Sequence, residues 1–205
     1  MKKLLAVAAL SLPVLASAQI ANPGFETGDF TGWTVSQGNF PSKSEPASII
    51  STPGAVYGEA IPAAPSGGGF ALYFVQDGDS QSVSQTTNLA AGLYEWSVSW
   101  YLPANGLANP ADAHLHLSLG GTTVWTEHIT AGDAAQTWVT VSGQSNLSDN
   151  FAVSFAFTSD GSAGVAAKDI VVDNITVTAV PEPESFALMA AGLAAVGFLA
   201  RRRRV

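Results

Sequence analysis

The sequence predicts an all-β domain built as an antiparallel sandwich, and three observations predict it. Short segments alternate apolar and polar side chains, the period of a strand with one buried face. Gly, Asn, Asp and Pro turns separate those segments at short intervals. Between the two chain ends, no helical period of useful length interrupts them. Seven to nine strands at this spacing suit two packed antiparallel sheets.

The elements follow in order. Lys2 and Lys3 precede an apolar core at 4–15 and the small-residue site Ala16-Ser17-Ala18. That is the pattern of a secretory signal peptide over 1–18, with cleavage between Ala18 and Gln19. Its partners are the Sec machinery and signal peptidase. The sandwich domain is then expected over 19–178. Residues 36–68 are rich in Pro and Gly and predict a long loop excursion. A strand at 70–76 follows the loop of Ser66, Gly67, Gly68 and Gly69. Residues 93–102 give the longest alternation, with Tyr94, Trp96, Val98, Trp100 and Leu102 facing in. Glu95, Ser97, Ser99 and Tyr101 then face out. At 113–119, Leu115, Leu117 and Leu119 face in while His114, His116 and Ser118 face out. Gly120-Gly121 turns the chain into a strand at 122–126. Further strands are expected at 138–142, at 151–158 with Phe151, Val153, Phe155 and Phe157 inward, and at 170–178.

Charge narrows the partners. Lys43 and Lys168 are the only basic residues between Gln19 and Val180, against fourteen acidic ones, so the domain carries net −12. Nucleic acid is excluded as a partner, because phosphate binding needs clustered Lys and Arg. Divalent cations and neutral polysaccharide remain compatible. The chain has no cysteine, so apolar burial, hydrogen bonds or a bound metal must stabilise the domain without disulfides.

The tail, 179–205, has three parts: Pro181-Glu182-Pro183, an uncharged apolar stretch at 186–200, and Arg201, Arg202, Arg203 and Arg204. The apolar stretch predicts a transmembrane helix, with the arginines holding its end on the cytoplasmic side. As a helix it spans about 22 Å, short of the roughly 30 Å hydrocarbon core. The tail resembles the PEP-CTERM sorting signal of Gram-negative bacteria. That resemblance implies an exosortase-type membrane protease acting at the motif. It also implies transient anchoring in the inner membrane, then transfer to the outer surface or extracellular matrix, often where exopolysaccharide is made.

A second resemblance rests on the opening Asn22-Pro23-Gly24-Phe25-Glu26-Thr27-Gly28-Asp29-Phe30-Thr31-Gly32-Trp33. It is similar to the start of galactose-binding-like jelly rolls, which include carbohydrate-binding modules. The segments at 69–72, 92–94 and 172–177 fit the same pattern. The resemblance implies a jelly-roll β-sandwich and a structural calcium ion. Its carboxylate ligands match Glu26 and Asp173, brought together by pairing of the first and last strands. Carbonyls near Asn22 or Gly69 would complete the oxygen shell that calcium needs.

Other candidates for chemistry come from the residues themselves. Asp77-Gly78-Asp79 lacks the further ligands of an EF-hand and reads as a polar turn. His114 and His116 share a strand face; they are zinc ligands if His128 or Glu127 adds a third donor, and otherwise solvated or sugar-contacting. Sugars stack on exposed aromatic rings. Trp96, Trp100, Trp33 and Trp138 are expected to pack inside, which leaves Trp125, Tyr101 and Tyr57 as ligand-binding candidates. No G-x-S-x-G elbow or H-E-x-x-H occurs, and the domain is expected to be non-catalytic. The sequence therefore predicts an exported surface or matrix protein that associates with exopolysaccharide.

Overall fold

Strand β7 (Gly92–Tyr101) carries the longest alternation in the chain, and the second sheet is built around it. The structure is a computed structural model. It describes residues 20–37, 48–52, 54–56, 59–65, 67–75, 80–161, 165–181 and 183–202. The expected signal peptide with Ala18 and Gln19, Tyr57, the 77–79 turn, Glu182, Arg203 and Arg204 lie outside the described residues.

Two five-stranded antiparallel sheets form the sandwich. The first is ordered β1 (Thr34–Gln37), β6 (Ser80–Thr86), β11 (Ala152–Ser159), β8 (Ala113–Leu119) and β9 (Thr122–Ile129). The second runs β10 (Trp138–Leu147), β7, β12 (Ile170–Ala179), β5 (Phe70–Phe74) and β2 (Ser48–Ser51). The antiparallel sandwich expected from the alternation, and the jelly-roll sandwich that the resemblance implies, are therefore present.

Register decides which side chains meet. Phe155 of β11 lies opposite Val83 on one side and Leu117 on the other, and all three are buried. Trp96, Val98 and Trp100 enter the same core from the facing sheet. Ring pairs lock the layers: Phe74 stacks on Phe157 at 5.5 Å, and Tyr94 meets Phe151 edge-on at 5.2 Å. Such aromatic pairs add to what area burial alone supplies.

The excursion at 36–68 is not wholly loop. Besides β2, its described part forms a hairpin of β3 (Gly54–Val56) and β4 (Glu59–Ile61). Strands of three or four residues hold too few alternations to be seen in sequence. The segment covers part of the outer face of the second sheet. Ile61, Ala71, Tyr73, Val75, Tyr101 and Val171 form a second, smaller core there, with Trp138 against it.

A carboxylate anchors this cover. Glu59 of β4 accepts hydrogen bonds from the backbone N–H of Ala104 (2.7 Å) and Asn105 (2.8 Å), and from Gln136 Nε2 (3.2 Å). The first two donors open the one-turn helix α1 (Ala104–Leu107). Burial raises the Glu59 pKa, but the bonds from Asn105, Ala104 and Gln136 outweigh it and hold the carboxyl below its ordinary value.

The tail forms α2 (Pro183–Arg202). Among the described residues, no helix is long and apolar enough to cross a membrane, which corrects the transmembrane helix expected at 186–200. Fifteen uncharged residues are one reason, since they fall short of a hydrocarbon core. Leu193, Val196, Phe198 and Leu199 are exposed on α2.

Candidate functional site

The opening segment is a chain of tight turns held by its own side chains. Asn22 Nδ2 donates to Thr27 Oγ1 (2.7 Å) and to the Asp29 carbonyl (3.0 Å). The Asp29 carboxylate accepts from Thr27 Oγ1 (2.7 Å) and the Thr31 N–H (2.9 Å). Hydrogen bonds from Thr31 and Thr27 hold its pKa below the ordinary value. Gln85 of β6 clamps the segment, accepting from the Ala21 N–H and donating to the Ala21 carbonyl. Phe25 and Trp33 face each other at 5.4 Å inside the core, so Trp33 is a packing residue as expected.

These turns bring Glu26 and Asp173 to one place. A β-carbon at Gly24 would sit 3.1 Å from Asp173 Oδ1 and 3.5 Å from Glu26 Oε1, so both carboxylates face the same bare backbone. Asp173 is fully buried. Glu26 Oε2 accepts from the Gly69 N–H (2.7 Å), and a side chain at Gly68 would collide with the same carboxylate.

The route to this meeting differs from the expectation. The first and last strands do not pair, since β1 and β12 lie in different sheets. Instead the opening turns lie over an irregularity in β12 between Asp173 and Thr176, where Asn174 has a positive φ of 52°. The Ile175 N–H there donates to the Pro23 carbonyl (3.1 Å). The Asn22 carbonyl already accepts from Phe25 N–H and Trp33 Nε1, which leaves it poorly placed as a ligand. The Gly69 carbonyl accepts a single bond in the described network, from Thr52. Two converging carboxylates, one of them buried, beside carbonyl oxygens fit a hard cation such as calcium.

The sugar-binding candidates separate. Tyr101 is only 1% exposed, which corrects its assignment to an open face. The β3–β4 segment roofs that part of β7, and Trp138 packs on the Tyr101 ring at 5.4 Å. Trp138 also donates to the Pro62 carbonyl. Trp125 is half-buried on edge strand β9, opposite Leu117. A register shift between Leu117 and Ser118 inserts Val124 as an extra residue, so Val124 and Trp125 both pack along the core margin. A cleft of about 360 Å³, which Val124 lines and Trp125 does not, opens between β9 and β10. Thr122 and Val124 line it from one strand, Ser145 and Asn146 from the other. Gly143 keeps β10 close to the Trp96 ring, where a β-carbon would come within 2.5 Å.

The histidines divide differently from their spacing. His116 is held by Thr126 Oγ1 (2.9 Å) and Thr158 Oγ1 (3.3 Å), and burial followed by His114 lowers its pKa. His114 instead lies directly opposite His128 across the β8–β9 ladder. Glu127 points to the other face of β9, opposite Leu115, where burial and Asp133 raise its pKa against His128.

Residues 179–204 match the PEP-CTERM protein-sorting motif. The tail is therefore a sorting signal: it marks an exported protein, anchored transiently in the membrane and processed by an exosortase. Among solved structures, the fold is similar to a cyclase from Fischerella sp. TAU in complex with 4-(1H-indol-3-yl)butan-2-one. That likeness covers 81% of this chain and 98% of the cyclase at 17% identity, with a TM-score of 0.56. TmCBM61 in complex with β-1,4-galactotriose is 22% identical over 78% of this chain and 97% of its own (TM-score 0.49). The CBM22-1 xylan-binding domain of Paenibacillus barcinonensis Xyn10C is 19% identical over 85% and 99% (TM-score 0.46). At these identities the likeness is one of fold. No similar sequence is found among curated proteins.

Proposed function

We propose that this chain is a non-catalytic protein of the outer surface or extracellular matrix of a Gram-negative bacterium, and that it associates with exopolysaccharide. The observation that carries the reading is a cleft edged with hydroxyl and amide groups at the margin of the sandwich, lined by Val124, with Trp125 half-buried next to Val124 on the same edge strand. A pyranose ring needs that combination, an apolar plate for its C–H face and polar groups for its hydroxyls. The sorting signal, which marks the chain for export, supports this reading. Calcium has a structural part in this reading, held by Glu26 and Asp173, which tie the opening turns to β12 and so brace the fold away from the cleft. Sec and signal peptidase act before the exosortase.

The test is retention of the purified chain on a panel of polysaccharides that includes the host's own matrix, with calcium and with chelator. Binding to one polymer is expected, and Trp125→Ala is expected to weaken it at least tenfold, about 1.4 kcal/mol. Chelator is expected to lower the melting temperature. Retention on no polymer by a folded chain would favour a purely structural envelope protein; release of shortened polymer would reveal an enzyme. An unchanged melting temperature would remove the calcium.

The tail has its own expected result. Replacing Pro181, Glu182 and Pro183 by alanine should leave the uncut precursor in the inner membrane on fractionation. Normal release of that variant would contradict processing at the motif.

A further inference from the structure

All three histidines of the chain lie on the outer face of one hairpin, β8–β9. That face is otherwise made of small side chains, hydroxyls and Ala156. Ser118, Thr126 and Thr158 share it, with Ser82, Ser84 and Ser154 further across the sheet. At the end of the hairpin the pattern changes. His114 and His128 stack with ring centres 4.2 Å apart, and Asp160, just beyond β11, reaches both. Its Oδ2 is 3.1 Å from His114 Nε2 and 3.4 Å from His128 Nε2. The three donor atoms all lie within 4.8 Å of one another.

We propose that His114, His128 and Asp160 form a binding site for a late transition-metal dication, zinc being the best fit. Two ligands of a tetrahedral zinc ion, with bonds of about 2.1 Å, lie roughly 3.4 Å apart. The two nitrogen–oxygen separations are already close to that edge. Two imidazoles with one carboxylate form a borderline-soft donor set, which selects zinc, nickel or copper over calcium and magnesium. In the parallel stack the two nitrogen lone pairs run side by side. Capture therefore turns one ring about its Cβ–Cγ bond, and His128, with half its side chain exposed, has the room.

The surroundings hold the carboxylate in position. The Asp160 N–H donates to the Asp112 carbonyl (2.9 Å), and Gly161 N–H donates to Ser159 Oγ (2.9 Å). Asp112 Oδ2 lies 4.0 Å from His128 Nε2, within reach as a fourth donor, while its Oδ1 is 3.5 Å from the buried Lys168 Nζ. Lys168 is fixed in turn by the Asn109 carbonyl. Any coordination position that Asp112 does not fill faces water. The ion would join β8 and the edge strand β9 to the turn that follows β11.

The experiment uses the full chain without affinity-tag histidines, stripped by chelator and titrated calorimetrically with zinc chloride at neutral pH. One saturable zinc per chain is expected, unaffected by excess calcium. H114Q, H128Q and D160N are each expected to weaken binding at least about tenfold. H116Q is expected to bind as the unmodified chain does, because both its ring nitrogens serve Thr126 and Thr158. E26Q is also expected to bind normally, which separates this site from the calcium reading. Melting curves in chelator establish that each variant folds, and any one of the three that does so carries the test. Absence of saturable zinc uptake, or undiminished uptake by the folded variants, would overturn the proposal.

Discussion

Phe155→Ala is expected to destabilise the domain by about 3–5 kcal/mol, read as a shift in the urea midpoint with an unchanged slope. The reason is position as much as size. β11 is the central strand of its sheet, and Phe155 is its middle inward residue. The ring is fully buried and reaches Trp33 at 6.4 Å, so it joins the sheet to the opening turns. Val83 and Leu117, its neighbours in register, are each fixed by their own ladders. The site therefore collapses poorly, and a cavity persists. Ser154→Ala, one residue away on the opposite face, is expected to change stability by no more than about 0.5 kcal/mol. Similar losses from both variants would refute the assignment of faces.

Glu59→Ala should cost about 3 kcal/mol at neutral pH. Truncation removes an acceptor that serves three donors, the N–H groups of Ala104 and Asn105 and the Gln136 amide. A hydrogen bond to a charged group contributes about 1.5–3 kcal/mol, and a buried donor left without an acceptor carries its own penalty. Glu59→Gln keeps one acceptor oxygen but turns an amide donor toward a backbone donor, so a smaller loss is expected. Acid supplies an independent check. The folded pKa of Glu59 lies below its ordinary value of 4.5. Its contribution is therefore complete above that value and is lost as pH falls through the folded one. The gap between wild type and Glu59→Ala should be full at pH 7 and shrink in strong acid. A gap that stayed constant would mean that packing, and not the carboxylate, is responsible.

Much of the sandwich is legible in the sequence, and the exceptions share a physical cause. The inward faces of β7, β8 and β11 follow from alternation, because each is long, with β8 and β11 packed on one side and β7 on one side over its first half. β6 escapes that reading. Its inward residues are Gln81, Val83 and Gln85, so a buried face carries two amides and one apolar side chain. Tyr101 was expected to be exposed because alternation reports a face and not what covers it. The cover comes from β3 and β4, too short to announce themselves. Alternation does not place Trp125 on either face, because a bulge changes the count at Val124. The convergence of Glu26 with Asp173 came from a resemblance, since turns bridging 147 positions leave no period to read. Asp160 had no local signal at all. Only the pairing of β8 with both β9 and β11 carries it to the histidines.

The roof laid by β3 and β4 divides one face of one strand into two regimes of permitted change. At Glu95 and Ser97 of β7 the outward face meets solvent, and polar residues can be exchanged there as lineages diverge. At Ser99 and Tyr101 the same face is sealed. A charge introduced there must enter together with changes in the excursion above it. Substitutions at 61, 73, 101 and 138 should thus be inherited as a group, although these positions lie in four separate stretches of the chain.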